Sequence, residues 1–175
     1  MLVLDRAYAP LRLSGTSAWA PADLDRAWQL WSPNKALGLT GLRAAYAIAP
    51  LGDETGAASM EALAPSWPVG AHGVALLQAW CDDGTQQWLA ESLDLLRTWK
   101  ARQQGICYHL GWTVLPSDTP FFCAQLPLSP ARATVLRRAG IQLRDATSFD
   151  LAGHARLSVQ PPAAQDALEA AWQSC

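Results

Sequence analysis

The sequence predicts an α/β protein in two parts: an incomplete sheet domain over residues 1–75, and helices leading into a small α+β domain over residues 76–175. Apolar runs at residues 1–4 and 27–31 are typical of strands covered on both faces of a sheet. Long helical patterns follow, and short apolar runs alternate with helices after residue 105. Half of the residues are hydrophobic and 16% are charged, so we expect a buried core.

The individual elements are predicted from apolar patterns and from the Gly and Pro residues that separate them. Residues 51–68 are poorly patterned and contain Gly52, Gly56, Pro65 and Pro68, so no element is predicted there. Strands are predicted at residues 1–4, 27–31, 44–49, 106–110, 112–115, 121–126, 141–144 and 155–160. Helices are predicted at residues 22–26, 71–81, 85–104, 131–139 and 163–172.

Composition excludes several classes of function. The net charge is −2 and no basic cluster is present, so we expect no nucleic-acid partner. No apolar run reaches the ~18 residues that a membrane span needs, and no secretory leader is visible, so we expect no membrane association. The four cysteines and three histidines are scattered without the spacing of metal ligands, so no metal site is predicted. Together these features favour a reduced, cytoplasmic protein.

Lys35 is the first candidate for chemistry. It is one of only two lysines, and it lies in a short polar segment between an apolar run and a Gly-rich run. A desolvated lysine amine is a nucleophile that can bond to an aldehyde, and Arg43, after the next glycine turn, can bind a phosphate at two points. This combination favours a pyridoxal phosphate (PLP) site. The alternative is a surface lysine beside a Gly-rich turn.

Two further positions carry groups that suit such a site. Asp5 ends the first strand and Tyr8 follows it, so a carboxylate and a phenol could reach two edges of a pyridine ring. The alternative for Asp5 is capping of a turn. Arg156 opens an apolar strand, where an inward-pointing guanidinium needs an anion such as a substrate carboxylate. The alternative for Arg156 is an edge-strand position facing water.

Taken together, these motifs resemble a known enzyme family. They are residues 4–8 (LDRAY), 32–43 (SPNKALGLTGLR), 66–69 (SWPV) and 147–162 (TSFDLAGHARLSVQPP). Their order and spacing resemble those of class I/II PLP-dependent aminotransferases of fold type I. Within that family the chain looks closest to the branch of histidinol-phosphate aminotransferases and cobalamin-pathway threonine-phosphate decarboxylases. Arg6 stands where the family usually has Glu, and Asn34 where it usually has Ser.

The resemblance implies a role for each candidate residue. Lys35 would carry the cofactor covalently and move the proton at the substrate's α-carbon, and Arg156 would bind the substrate carboxylate. The remaining implied cofactor contacts are Asp5 with the ring nitrogen, Tyr8 with the ring oxygen, and Ser32 and Arg43 with the phosphate. The amide of Asn34 is a further candidate for the phosphate.

The resemblance also implies a function. It favours decarboxylation of threonine O-3-phosphate in cobalamin biosynthesis, with a histidinol-phosphate-type aminotransferase and a truncated, non-catalytic or partner-binding remnant as alternatives. The substrate would be a small amino acid or amino phosphate, and the family is usually homodimeric. Family chains are about twice as long, so we expect this sequence to correspond to their C-terminal half. Because further PLP contacts lie in the other half, we expect this chain alone to bind PLP weakly or not at all.

Overall fold

The computed structural model describes residues 1–174, which divide into two compact units, Met1–Ser92 and Leu93 onward. The observed class is mixed α/β with incomplete sheet structure, as the sequence predicts. The domain boundary predicted at residue 75 stays a prediction. In the described part of the chain, no helix combines the length and the apolar character that a membrane crossing requires.

The first unit contains a three-stranded sheet in which the middle strand lies between one parallel and one antiparallel neighbour. Its strands are β1 (Val3–Asp5), β2 (Trp28–Trp31) and β3 (Tyr46–Ile48), in the spatial order β1-β2-β3. Its helices are α1 (Pro21–Leu24), α2 (Glu54–Ala62), α3 (Ala71–Trp80) and the first part of α4 (Asp83–His109).

The two faces of this small sheet are unequally covered. Leu4 is only 7% exposed, whereas Val3 and Leu30, which lie on the opposite face, are 45% and 44% exposed. Apolar side chains on both faces of a strand are typical of a sheet that is covered on both sides. The exposed apolar face indicates that this three-stranded sheet is incomplete, as the sequence predicts.

The second unit is an antiparallel sheet of four strands packed against helices. Its elements are the rest of α4, β4 (Thr113–Val114), β5 (Phe121–Gln125), α5 (Pro130–Arg138), β6 (Arg144–Asp145), β7 (His154–Ser158) and α6 (Pro162–Gln173), with the strands in the order β4-β5-β7-β6. Phe122 and Leu157 are register partners and face the core, where they join Leu136, Leu168 and Trp172 of the helices. Alternate residues of β7, including Arg156, point to the other face. The predicted α+β lobe is confirmed.

The structure differs from the predicted elements at three places. The strand predicted at residues 141–144 is displaced, because β6 covers only Arg144–Asp145. Residues 106–110, predicted as a strand, are mostly the last turn of α4. The β-branched and aromatic side chains suggest a strand, but Ile106 and Cys107 continue the buried side of the helix begun by Gln103. Residues 51–68, in which no element is predicted, contain α2. That helix buries no residue, so it has no apolar face for a sequence pattern to reveal, and its N-cap Asp53 accepts a hydrogen bond from the backbone N–H of Gly56 (3.0 Å).

Candidate functional site

The segment that follows β2 brings Lys35 and Arg43 to one cavity. The cavity has a volume of about 340 Å³ and lies at the end of β2, beyond Trp31. Its polar lining combines an amine, a guanidinium, a hydroxyl and an amide. The lining residues are Ser32, Asn34, Lys35, Arg43, Ala44, Ala45, Pro68 and Val69. Four of the residues predicted from the sequence therefore share one site.

Hydrogen bonds within the 33–43 segment determine its shape. The backbone N–H of Leu39 donates to the carbonyl oxygen of Asn34 (2.8 Å), and the side-chain Nδ2 of Asn34 donates to the carbonyl oxygen of Leu42 (3.2 Å). Gly38 has a φ of +68°, a left-handed conformation that a side chain would strain. The chain thus turns back on itself between Lys35 and Arg43, which places both residues at the cavity.

Helix α3 packs closely against the Arg43 side of the cavity. Gly73 is buried, and a Cβ atom at this position would lie 3.2 Å from the Arg43 carbonyl oxygen, 3.2 Å from Ala44 Cβ and 2.5 Å from Val69 Cγ1. A side chain at this position would force the Val69 side chain to move and would push the helix and the segment apart by a few tenths of an ångström. Gly73 therefore helps to define the position of Arg43.

Tyr8 lies next to Lys35, whereas Asp5 is engaged elsewhere. The Lys35 Nζ atom is 5.3 Å from the centroid of the Tyr8 ring, within the range of a cation–π contact. The Asp5 Oδ1 atom accepts a hydrogen bond from the backbone N–H of Ala7 (2.8 Å), which is the turn-capping role. Tyr8 and Asp5 lie outside the lining of the Lys35 cavity. The structure thus joins Tyr8 to the amine and places Asp5 at the turn between β1 and Tyr8.

An aromatic ladder supports the end of β2 just before the cavity. The Arg6 guanidinium lies 5.1 Å above the Trp31 ring, and Trp31 stacks parallel to Tyr46 with 6.2 Å between ring centroids. The Tyr46 hydroxyl accepts a hydrogen bond from Trp80 Nε1 (3.1 Å). Trp31 and Tyr46 are register partners, so strand pairing places them side by side. Sequence reasoning missed this ladder because the pairing of β2 with β3 is not visible in either strand alone.

Arg156 lies in the second unit and has a neighbour that sequence reasoning missed. Arg144 on β6 is the register partner of Arg156 on β7, and both arginines line a cavity of about 450 Å³. Arg156 is half-buried and its guanidinium lies 4.3 Å above the Phe121 ring. Neither arginine forms an ion pair with another residue in the described range 1–174. Like charges opposite each other across two strands repel, so this arrangement favours a bound anion.

Comparison with known proteins gives the family. The family description "Aminotransferase class I and II" matches residues 1–173, so the chain belongs to that family, whose members depend on PLP. No curated protein matches the chain.

Solved structures confirm the fold. The chain is similar to histidinol-phosphate aminotransferase from Sinorhizobium meliloti in complex with pyridoxal-5'-phosphate, with 26% identity and a TM-score of 0.78 over 99% of this chain and 48% of that one. It is similar to aspartate aminotransferase from Thermus thermophilus with maleate, with 23% identity and a TM-score of 0.75 over 98% and 46%. It is also similar to L-threonine-O-3-phosphate decarboxylase from Porphyromonas gingivalis, with 23% identity and a TM-score of 0.68 over 98% and 54%. The chain therefore spans about half the length of the solved structures it matches.

The residues at the first cavity fit the chemistry of PLP. An aldehyde requires a primary amine, which Lys35 provides, and a phosphate requires strong hydrogen-bond donors, which Arg43 and Ser32 provide. All three residues line the same cavity, and the Tyr8 ring lies beside the amine. The donor set of this unit therefore matches the cofactor of the family.

Proposed function

We propose that this protein binds PLP through Lys35 and acts on a small amino acid that carries a phosphate group. The observation that carries the proposal is the shared cavity of Lys35 and Arg43, which offers an amine for the aldehyde and a guanidinium for the phosphate. For the whole protein we propose the homodimeric state that is general in this family.

In the proposed site, each side chain of this unit has a separate task. The Lys35 amine would hold the cofactor through its aldehyde carbon until the substrate amine takes its place, and would then move a proton at the substrate's α-carbon. Arg43 and Ser32 would bind the phosphate, and Tyr8 would donate a hydrogen bond to the ring oxygen. Asp5, whose Oδ1 accepts from the Ala7 N–H, would pair with the protonated ring nitrogen through its other carboxylate oxygen. PLP supplies an electron sink for the bond that breaks at the α-carbon.

The paired arginines support a phosphate-bearing substrate. Arg144 and Arg156 line one cavity opposite each other, and two guanidiniums suit a phosphate or two separate anionic groups better than a single carboxylate. We propose threonine O-3-phosphate as the substrate and its decarboxylation, in cobalamin biosynthesis, as the reaction. Histidinol phosphate is the second candidate, supported by the 26% identity to the Sinorhizobium meliloti enzyme.

Cofactor binding is tested by titrating the protein with PLP and following the visible absorbance. We expect a weak change that disappears in Lys35→Ala and persists in Lys100→Met, which removes the other lysine. A non-catalytic remnant would show no change that depends on Lys35.

Substrate class is tested by titrating the protein with threonine O-3-phosphate, threonine and histidinol phosphate, and following the arginine side-chain signals by NMR. We expect threonine O-3-phosphate to bind at least about tenfold more tightly than threonine, because charge-assisted hydrogen bonds are worth ~1.5–3 kcal/mol. Arg144→Gln should remove most of that preference. Equal binding of threonine would contradict a phosphate-bearing substrate, and tighter binding of histidinol phosphate, which has no carboxylate, would favour the second candidate.

A further inference from the structure

Asn34 is the most buried polar residue at the Lys35 cavity. It is 4% exposed, and its Oδ1 atom is buried without a hydrogen-bond partner among the described residues. Its Nδ2 atom donates to the Leu42 carbonyl oxygen at 3.2 Å. The Asn34 amide is predicted from the sequence to contact the cofactor phosphate, but in the structure this side chain contacts the backbone of its own segment.

That contact joins the two residues that directly precede Lys35 and Arg43. Asn34 directly precedes Lys35, and Leu42 directly precedes Arg43. The hydrogen bond from Asn34 Nδ2 to the Leu42 carbonyl oxygen therefore links the chain next to Lys35 with the chain next to Arg43.

Other hydrogen bonds of the segment are more local. The backbone N–H of Leu39 donates to Asn34, and the backbone N–H of Leu42 donates to Leu39 (3.0 Å). Within the described range, the Asn34 side chain makes the direct bond between the two ends of the segment. Leu39, Thr40 and Gly41 are exposed, so packing contributes little to the shape of the turn.

We propose that Asn34 is a positioning residue that sets the separation between the Lys35 amine and the Arg43 guanidinium. Through this separation the segment selects a ligand whose aldehyde and phosphate are a fixed distance apart. The inference rests on the proposed function, since it assumes that Lys35 and Arg43 hold the two ends of PLP. In this proposal Asn34 does not bind the phosphate itself. It fixes the distance between the Lys35 amine and the Arg43 phosphate site.

The test compares PLP with pyridoxal, which has the same aldehyde and no phosphate. Each is incubated with the protein and reduced with borohydride, which fixes the aldehyde carbon to the amine after loss of water, and the label at Lys35 is measured by peptide mass spectrometry. In the parent chain we expect PLP to label Lys35 about tenfold more than pyridoxal does. Asn34→Leu, which is close in size and cannot donate, should lower PLP labelling more than pyridoxal labelling, so that the ratio falls towards that of Arg43→Gln.

A purely structural role for Asn34 would lower labelling by both aldehydes alike. An unchanged ratio in Asn34→Leu, or an equal loss for both aldehydes in a folded variant, would overturn the proposal. Asn34→Ser, which retains a hydroxyl donor on a shorter side chain, is the second variant if Asn34→Leu fails to fold, and it should also reduce the ratio.

Hydrogen exchange provides a readout without any ligand. In the parent chain the Leu42 amide is part of the closed segment, and we expect it to exchange at least about tenfold faster in Asn34→Leu but not in Arg43→Gln. If the parent chain shows no Lys35 labelling at all, the proposed function fails, and the Leu42 exchange rate still decides whether Asn34 closes the segment. An unchanged exchange rate would overturn the positioning role.

Discussion

Gly73 offers a direct test of how α3 fixes the Arg43 side of the cavity. In Gly73→Ala, the new Cβ would lie 3.2 Å from the Arg43 carbonyl oxygen and 2.5 Å from Val69 Cγ1. The Val69 side chain can rotate away, but the carbonyl belongs to the backbone, so α3 or the segment must move. Overpacking of this kind costs ~1–3 kcal/mol, whereas replacing Gly by Ala in a helix gains at most ~1 kcal/mol.

Gly105 provides the matched control. It lies inside α4, and a Cβ atom there would meet nothing within 4 Å. Gly105→Ala should therefore gain the helix propensity without the clash, and we expect it to stabilise the protein by ~0.5–1 kcal/mol.

Urea denaturation followed by circular dichroism measures both effects. We expect Gly73→Ala to lower the free energy of unfolding by about 1 kcal/mol, because overpacking outweighs the gain in helix propensity. Gly73→Ala should also expose the amides near Arg43 to faster hydrogen exchange. If Gly73→Ala stabilised the protein as much as Gly105→Ala, the close packing of α3 against the segment would be refuted.

Two further predictions concern the second unit. Burial raises the pKa of the Cys107 thiol to about 12, above its ordinary value of 9.0. The contribution of the protonated thiol to the free energy of unfolding is therefore complete below pH 9 and is lost as the pH rises towards 12. The loss is at most ~1.4 kcal/mol per pH unit. Cys107→Ala should reduce this slope in urea denaturation between about pH 8 and pH 11, and an identical slope would contradict a protonated buried thiol. Gln165 is 1% exposed, donates to the carbonyls of Trp99 (3.0 Å) and Gln160 (2.6 Å), and accepts from Arg102 (2.9 Å). Gln165→Met should lower the free energy of unfolding by ~2–4 kcal/mol, because it leaves the buried partners of Gln165 without a hydrogen bond. The control Gln78→Met, at an exposed position, should change the free energy of unfolding by less than ~0.5 kcal/mol. Similar values for the two variants would refute a structural role of the Gln165 hydrogen bonds.

Most of the fold could be predicted because its elements carry local signals. The strands in the second unit have an apolar pattern that matches their buried face, and α5 begins after the N-cap Ser129, whose hydroxyl accepts from the Arg132 N–H. Helix α2 could not be predicted because it buries nothing, and the end of α4 was predicted as a strand because Ile106 has high strand propensity while its burial depends on tertiary packing.

The candidate site was only partly accessible from the sequence. The proximity of Lys35 to Arg43 follows from the short segment between them, and the structure places both at one cavity. The pairing of Arg144 with Arg156 depends on the register of β6 and β7, which residue types alone do not determine. The contact of Asn34 with Leu42 depends on the path of a Gly-rich turn, and single-sequence patterns do not specify such a path.

The two lysines of this chain allow the central claim to be tested in one measurement. Lys100 is buried, its ammonium donates to the carbonyl oxygens of Ser117 and Thr119, and burial lowers its pKa, with Asp118 opposing the shift. A low pKa alone would favour reaction of Lys100 with an aldehyde. The Lys35 amine instead lines a cavity with a phosphate-binding guanidinium.

The measurement is reduction of the PLP-treated protein with borohydride, followed by peptide mapping of the label. We expect label on Lys35, with little on Lys100 or the terminal amine of Met1. That label should be lost when inorganic phosphate competes or when Arg43 is replaced by Gln. Equal labelling of all amines, or labelling of Lys35 that Arg43→Gln leaves unchanged, would contradict a PLP site built from Lys35 and Arg43.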